Sequence, residues 1–152
     1  MPRTVISDTS ILILFSRINH LELLKKVYSE VITTPEIAEE FGEELPNWIK
    51  VQPVSNKEFQ EILELQLDLG EASAIALAKE LKNTLLLLDD LKARKLANRL
   101  NLKITGTLGI IHKAKQLGFI DKVKPVIQKI LDTDFRISQN IIEELLTLNN
   151  EN

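Results

Sequence analysis

"TLLLLDD" (residues 84–90) decides how the rest of this chain is read. Four leucines in succession leave no polar face, so the segment is not a strand with one side in water. A continuous apolar run that stops at two acids is the pattern of a central parallel strand covered on both faces. Parallel strands are joined by crossovers, usually helical, and both flanks supply one. "EASAIALAKEL" (71–81) is rich in small residues suited to close packing on a sheet, and "LKARKLANRL" (91–100) follows the acids.

Outward from this centre, "TVIS" (4–7), "EVITT" (30–34), "WIKVQPV" (48–54) and "LKITGT" (102–107) read as further strands. Pro53 lacks an N–H for a ladder, which places the third of these at an edge. "ILILFSRIN" (11–19) predicts a helix that continues, with a break, through "HLELLKKVY" (20–28). Thr34 and Pro35 predict a capped helix start running to about Leu45, before Pro46. Ser55 and Glu58 have capping-box spacing, for a helix ending near Gly70. "LGIIHKAKQLG" (108–118) stops at Gly118, and two helical stretches, 122–132 and 138–149, follow. The alternation predicts a single α/β domain over residues 1–152, built on a five-stranded, mostly parallel sheet flanked by helices.

The chain has 152 residues, 44% hydrophobic and 27% charged, an ordinary balance for a soluble globular domain. It has no cysteine, which removes disulfides, thiolate zinc sites and thiol nucleophiles and suits a reducing cytoplasm. No signal-like segment and no apolar run of spanning length is present, so no membrane partner is expected. Two histidines without an H-E-x-x-H pattern argue against a histidine metal cluster. "GTLG" (106–109) is not a Walker loop, and no G-x-S-x-G elbow exists. The net charge of −3 hides a division: residues 36–90 hold thirteen acids against four bases, and residues 91–130 ten bases against one acid. That division suits an acidic pocket beside a basic surface, or helix faces of differing sign.

In parallel α/β sheets, sites lie beyond the carboxyl ends of the strands. Asp8 ends the first strand, and Asp89 and Asp90 end the apolar one, so the same edge collects acids. Glu71 opens the preceding helix, and Glu40 lies one and a half turns into the helix after strand two, beside Glu36 and Glu39. Converging carboxylates without basic partners repel, and a hard divalent cation such as Mg²⁺ or Mn²⁺ removes the repulsion. The structural alternative is capping: Asp8, Thr9, Ser10 and Asp90 all have side chains that satisfy free N–H groups at helix starts. Glu36 and Glu39 read as a solvated helix face. Lys92, Lys95, Arg99 and Lys103, with Arg94 nearby, form a basic row that suits phosphate contacts and equally a solvated face. Lys113 and Lys115 are weaker members of the same set.

"SDTSILI", "TTPEIAEEF", "LGEASAIALA", "LLLLDDLKARKLA" and "KITGTLGIIHKAKQLG" together, over about residues 4–120, resemble PIN-domain proteins in content and order. The resemblance extends to VapC-type toxin ribonucleases and is strongest to a branch of predicted nucleic-acid-binding PIN-like proteins. It implies a three-layer fold and Mg²⁺- or Mn²⁺-dependent hydrolysis of RNA, with a cognate antitoxin as partner. It assigns Asp8, Glu40, Glu71 and Asp89 as catalytic metal ligands, with Asp90 beside them and Thr9 in support. Glu71 stands where most such nucleases have Asp, and Leu87 where a hydroxyl often precedes the last acid. The catalytically inactive alternative is a PIN-like module that binds RNA or a protein. The resemblance also implies a homodimer, and the apolar "ILILF" (11–15) and "ELLKKVY" (22–28) predict one built partly on residues 11–28.

Overall fold

The computed structural model describes residues 3–152. Among these, five strands form one sheet in the order β3-β2-β1-β4-β5, every neighbouring pair parallel. The strands are β1 (Thr4–Ser7), β2 (Val31–Thr33), β3 (Ile49–Val51), β4 (Thr84–Leu87) and β5 (Lys103–Thr105). The apolar run becomes β4, with Leu86, Leu87 and Leu88 fully buried. It pairs with β1 from Thr4↔Thr84 to Ser7↔Leu87. From β1 the chain winds outward through β2 to β3, then returns to β4 and winds the other way. The carboxyl ends of β1 and β4 therefore flank the switch point of the sheet, where such folds open a crevice.

Helices flank the sheet as a three-layer α/β arrangement. The first predicted helix breaks as expected. α1 (Thr9–Arg17) ends where Asn19 adopts a left-handed φ of 59°, and α2 (Leu21–Tyr28) restarts after His20. Ile11, Leu12 and Phe15 of α1 are completely buried within one chain. Within one chain α1 packs against α3 and α2, which cover most of "ILILF".

Three helix boundaries differ from expectation. α3 (Pro35–Phe41) starts at its Thr34 cap but stops before Gly42, whose left-handed φ of 76° turns the chain four residues short of Pro46. α4 (Lys57–Leu63) is capped by Asn56, not Ser55. The Glu80 carboxylate accepts from the Ser55 and Asn56 backbone N–H groups, so the helix starts one residue later. The capping box forms one helix further on, at Asp68 and Glu71, and opens α5 (Leu69–Glu80). Gly70 thus lies inside a helix. A Cβ there would run into the Glu40 carboxylate and stand 2.9 Å from Thr9 Oγ1.

α6 (Leu91–Arg99) and α7 (Thr107–Gln116) flank β5, and α8 (Lys124–Leu131) and α9 (Gln139–Leu148) complete the chain. The C-terminal residues fold back on α7. The buried Asn149 places Oδ1 3.0 Å from His112 Nδ1, and the Lys115 ammonium donates to Glu151 and the Asn149 carbonyl. Glu151 also accepts from the N–H groups of Val123 and Lys124 at the start of α8. No helix among the described residues is long and apolar enough to cross a membrane.

Candidate active site

The Asp8 backbone N–H donates to the Leu87 carbonyl, which carries the β1–β4 ladder one residue past the last strand position. Its side chain then caps α1, Oδ1 accepting from Ile11 N at 3.0 Å. The cap reading is correct as geometry, and it does not account for the environment. An ordinary N-cap faces water, whereas Asp8 is 2% exposed. Burial pushes its carboxyl up to about 8 despite the Ile11 N–H, and the charges of Asp89, Glu71 and Asp68 push the same way. Capping falls to Asp8 alone. Thr9 and Ser10 lie inside the helix, and the Thr9 hydroxyl donates instead to Glu40 Oε1 at 2.8 Å.

Asp89 follows Leu88, whose N–H donates to the Thr105 carbonyl and so extends the β4–β5 ladder. The carboxylate is gripped at both oxygens by one residue: Thr107 N–H donates to Oδ1 at 2.8 Å, and the Thr107 hydroxyl to Oδ2. Glu71 is half-buried in the first turn of α5, its Oε1 accepting from Asp68 N. Burial, then the charges of Asp68 and Asp90, push its carboxyl up to about 7, with Glu40 adding to the effect. Glu40 is exposed in the last turn of α3 and reaches the group over Gly70. Asp90 is exposed and caps α6 through Ala93 N, so it touches the group only through its field on Glu71.

The structure therefore brings Asp8, Asp89, Glu71 and Glu40 to one edge, around the switch point. No ion-pair partner stands within 4.0 Å of any of them among the described residues. One oxygen or more of each is already engaged by a protein donor. Among the described residues, no group of three or more Asp, Glu or His side chains is arranged to hold an ion. The donor chemistry nonetheless fits a hard divalent cation: oxygen atoms only, excess negative charge, and a buried acid whose ionised form lacks a counter-charge.

Two expectations change in detail. Glu36 is not a solvated face residue: its side chain accepts from Gln60 Nε2 at 2.6 Å and lies 3.6 Å from Lys57 Nζ, tying α3 to α4. The basic row also divides. Arg94 is half-buried beside Asp89, its Nη1 donating to the Leu88 carbonyl at 2.9 Å. Lys92 and Lys95 are exposed near the start of α6, at the acidic edge. Arg99 ends that helix and Lys103 starts β5, so both lie toward the opposite edge of the sheet. Lys115 is taken by the C-terminal residues.

Reading the sequence missed Asp68, Gly70, Gly106 and Thr107. The spacing of "DLGE" (68–71) is that of a D-x-x-E capping box and carries a signal for Asp68. Nothing local points to Thr107, because its partner lies eighteen residues away.

The raised carboxyls make stability depend on pH. A native carboxyl near 8 binds a proton that the unfolded chain, with Asp near 3.9, has already lost. Without metal, this contribution to stability is therefore greatest near pH 4 and declines toward pH 8. Asp8→Asn keeps a capping oxygen and removes the Asp8 share of the slope, leaving that of Glu71. Calorimetry in chelator should show the variant melting a few degrees above wild type at pH 8, since about 1 kcal/mol is worth about 2–4 °C at this chain length. A lower melting temperature for the variant at that pH would mean that capping is the dominant role of Asp8.

No curated protein and no solved structure matches the chain at a significant level. A family model described as PIN domain matches residues 4–151. With the match running almost end to end over a parallel sheet that gathers its acids at the switch point, the chain belongs to the PIN-domain family, whose members are generally nucleases.

Proposed function

We propose that this protein is a Mg²⁺- or Mn²⁺-dependent endoribonuclease and the toxin of a cytoplasmic toxin–antitoxin pair. The observation that carries the reading is Asp8: a carboxylate buried at the switch point, facing Asp89 and Glu71, with no cation beside it. A folded chain tolerates that arrangement at a cost, and a metal site is the reason to keep it. Asp8, Asp89, Glu71 and Glu40 would hold the metal. When bound, Mg²⁺ or Mn²⁺ lowers the pKa of a coordinated water and offsets charge on the phosphate being transferred. The Thr9 hydroxyl keeps Glu40 turned toward Gly70, and Arg94 stands beside Asp89, where a phosphate oxygen would meet a guanidinium.

One observation favours the alternative, a module that binds RNA or a protein without cleaving it. Each principal carboxylate already accepts from a protein donor, so the acids could serve the fold alone. Cleavage separates the two readings. Wild type should cut single-stranded RNA with Mn²⁺ and not with chelator, and Asp8→Asn or Asp89→Asn should each reduce the rate by at least ~100-fold. Retained cleavage in purified Asp8→Asn would remove this residue from the metal set. Wild type that cuts no RNA under any divalent ion leaves the binding module as the function.

RNA affinity should fall with salt, as phosphate contacts dictate. Because Lys92 lies at the acidic edge and Lys103 toward the opposite one, Lys92→Gln should reduce the log–log salt slope by about 1 and Lys103→Gln should not. Equal effects would mean that the whole row binds, with RNA running along α6.

The reading includes a cognate antitoxin and a homodimer. Pairing draws on apolar surface left open to solvent, and Ile62, Leu65, Leu69 and Leu91 are among the exposed large apolar side chains. Light scattering of the purified chain should give twice the 17.3 kDa monomer mass. A monomer mass at high concentration would end the dimer proposal.

A further inference from the structure

We infer that Thr107 is the positioning residue of Asp89, and that the Gly106–Thr107 step belongs to the site although neither residue carries a charge. The inference rests on the metal-site reading above. Asp89 has left the β4 ladder, so the strand no longer fixes its side chain, and a free carboxylate samples several rotamers. Thr107 removes that freedom. Its N–H and hydroxyl hold the two oxygens separately, which sets the plane of the carboxylate as well as its position. Each oxygen keeps a lone pair for a further partner, and the remaining directions are fixed in space.

The surroundings prevent the clamp from shifting. Thr107 is 1% exposed. A Cβ on Gly106 would stand 2.5 Å from Asp89 Oδ1 and 2.6 Å from Arg94 Nη1, so only glycine lets α7 approach this closely. Arg94 holds the Leu88 carbonyl, one residue before Asp89, beside the same Gly106. At its far end α7 is fastened through His112 and Lys115 to Asn149 and Glu151. A clamp needs a base that does not move, and the C-terminal residues provide it. The hydroxyl on Asp89 thus comes from just past the end of β5, the strand paired with β4.

Partners that orient a metal ligand typically change affinity by about 10–100-fold when removed. The test is calorimetric titration of the full chain with Mn²⁺, beside its metal-free melting curve. Thr107→Val keeps the branched shape and the N–H and deletes the hydroxyl. It should weaken Mn²⁺ binding about 10–100-fold, and Thr107→Ser, which keeps the hydroxyl, should restore binding to near wild type. Thr107→Ala serves the same comparison where valine prevents a cooperative melt. Mn²⁺ affinity unchanged in a folded hydroxyl-deleted variant, with only the melting temperature lowered, would overturn the inference and leave the metal reading standing. Failure of wild type itself to bind Mn²⁺ up to millimolar concentration would overturn both.

Discussion

The parallel pairing of β1 with β4 is the constraint on which the acidic edge depends. It joins residues eighty positions apart, from Thr4↔Thr84 to Ser7↔Leu87, and brings Asp8 and Asp89 to the same end of the sheet. The pairing is apolar in origin, since Ile6 and Leu86 are both completely buried on it. A one-residue slip would turn the alternating side chains of β1 to the wrong face. The core thereby holds the register that brings the acids together, and changes to the β1–β4 contact would act on the site without touching a carboxylate.

Gathering like charges opposes folding, and the protein manages the conflict locally. Asp8 caps α1, Asp90 caps α6, Asp68 and Glu71 form the box that opens α5, and Asp89 is held by the first residue of α7. Each helix start offers N–H groups and the positive end of its dipole, which favour negative charge. Capping and site chemistry are therefore not rival explanations for these residues. The caps hold carboxylates in place that would otherwise repel one another out of position. The carboxyls of Asp8 and Glu71, raised to about 8 and about 7, are the part of the repulsion left uncompensated. Residues under such strain are where function is commonly found.

The basic residues show why helical spacing alone misleads. Lys92, Lys95 and Arg99 share a face by their spacing, but α6 runs away from the carboxyl edge at about 1.5 Å per residue. By Arg99 it has reached the other end of the sheet. Arg94, off that row, is the cation that remains beside Asp89. Distance from the site is set by the axis of the helix, which a charge pattern does not reveal.

What the sequence by itself determined was local: the apolar runs that become strands, the acids that end them, and the α/β class that follows from alternation. Those features are periodic or adjacent, so composition over a few residues records them. A boundary set by a long-range partner was not recorded, as with Ser55, displaced from its expected cap by Glu80. The order of the strands, the burial of "ILILF" within one chain, and the grip of Thr107 on Asp89 were decided only by tertiary structure. A hydrogen bond between distant residues leaves no repeat in the sequence, because either partner alone reads as an ordinary helix start or strand end. Folding turns those separate local choices into one site, and it does so through packing that no short stretch contains.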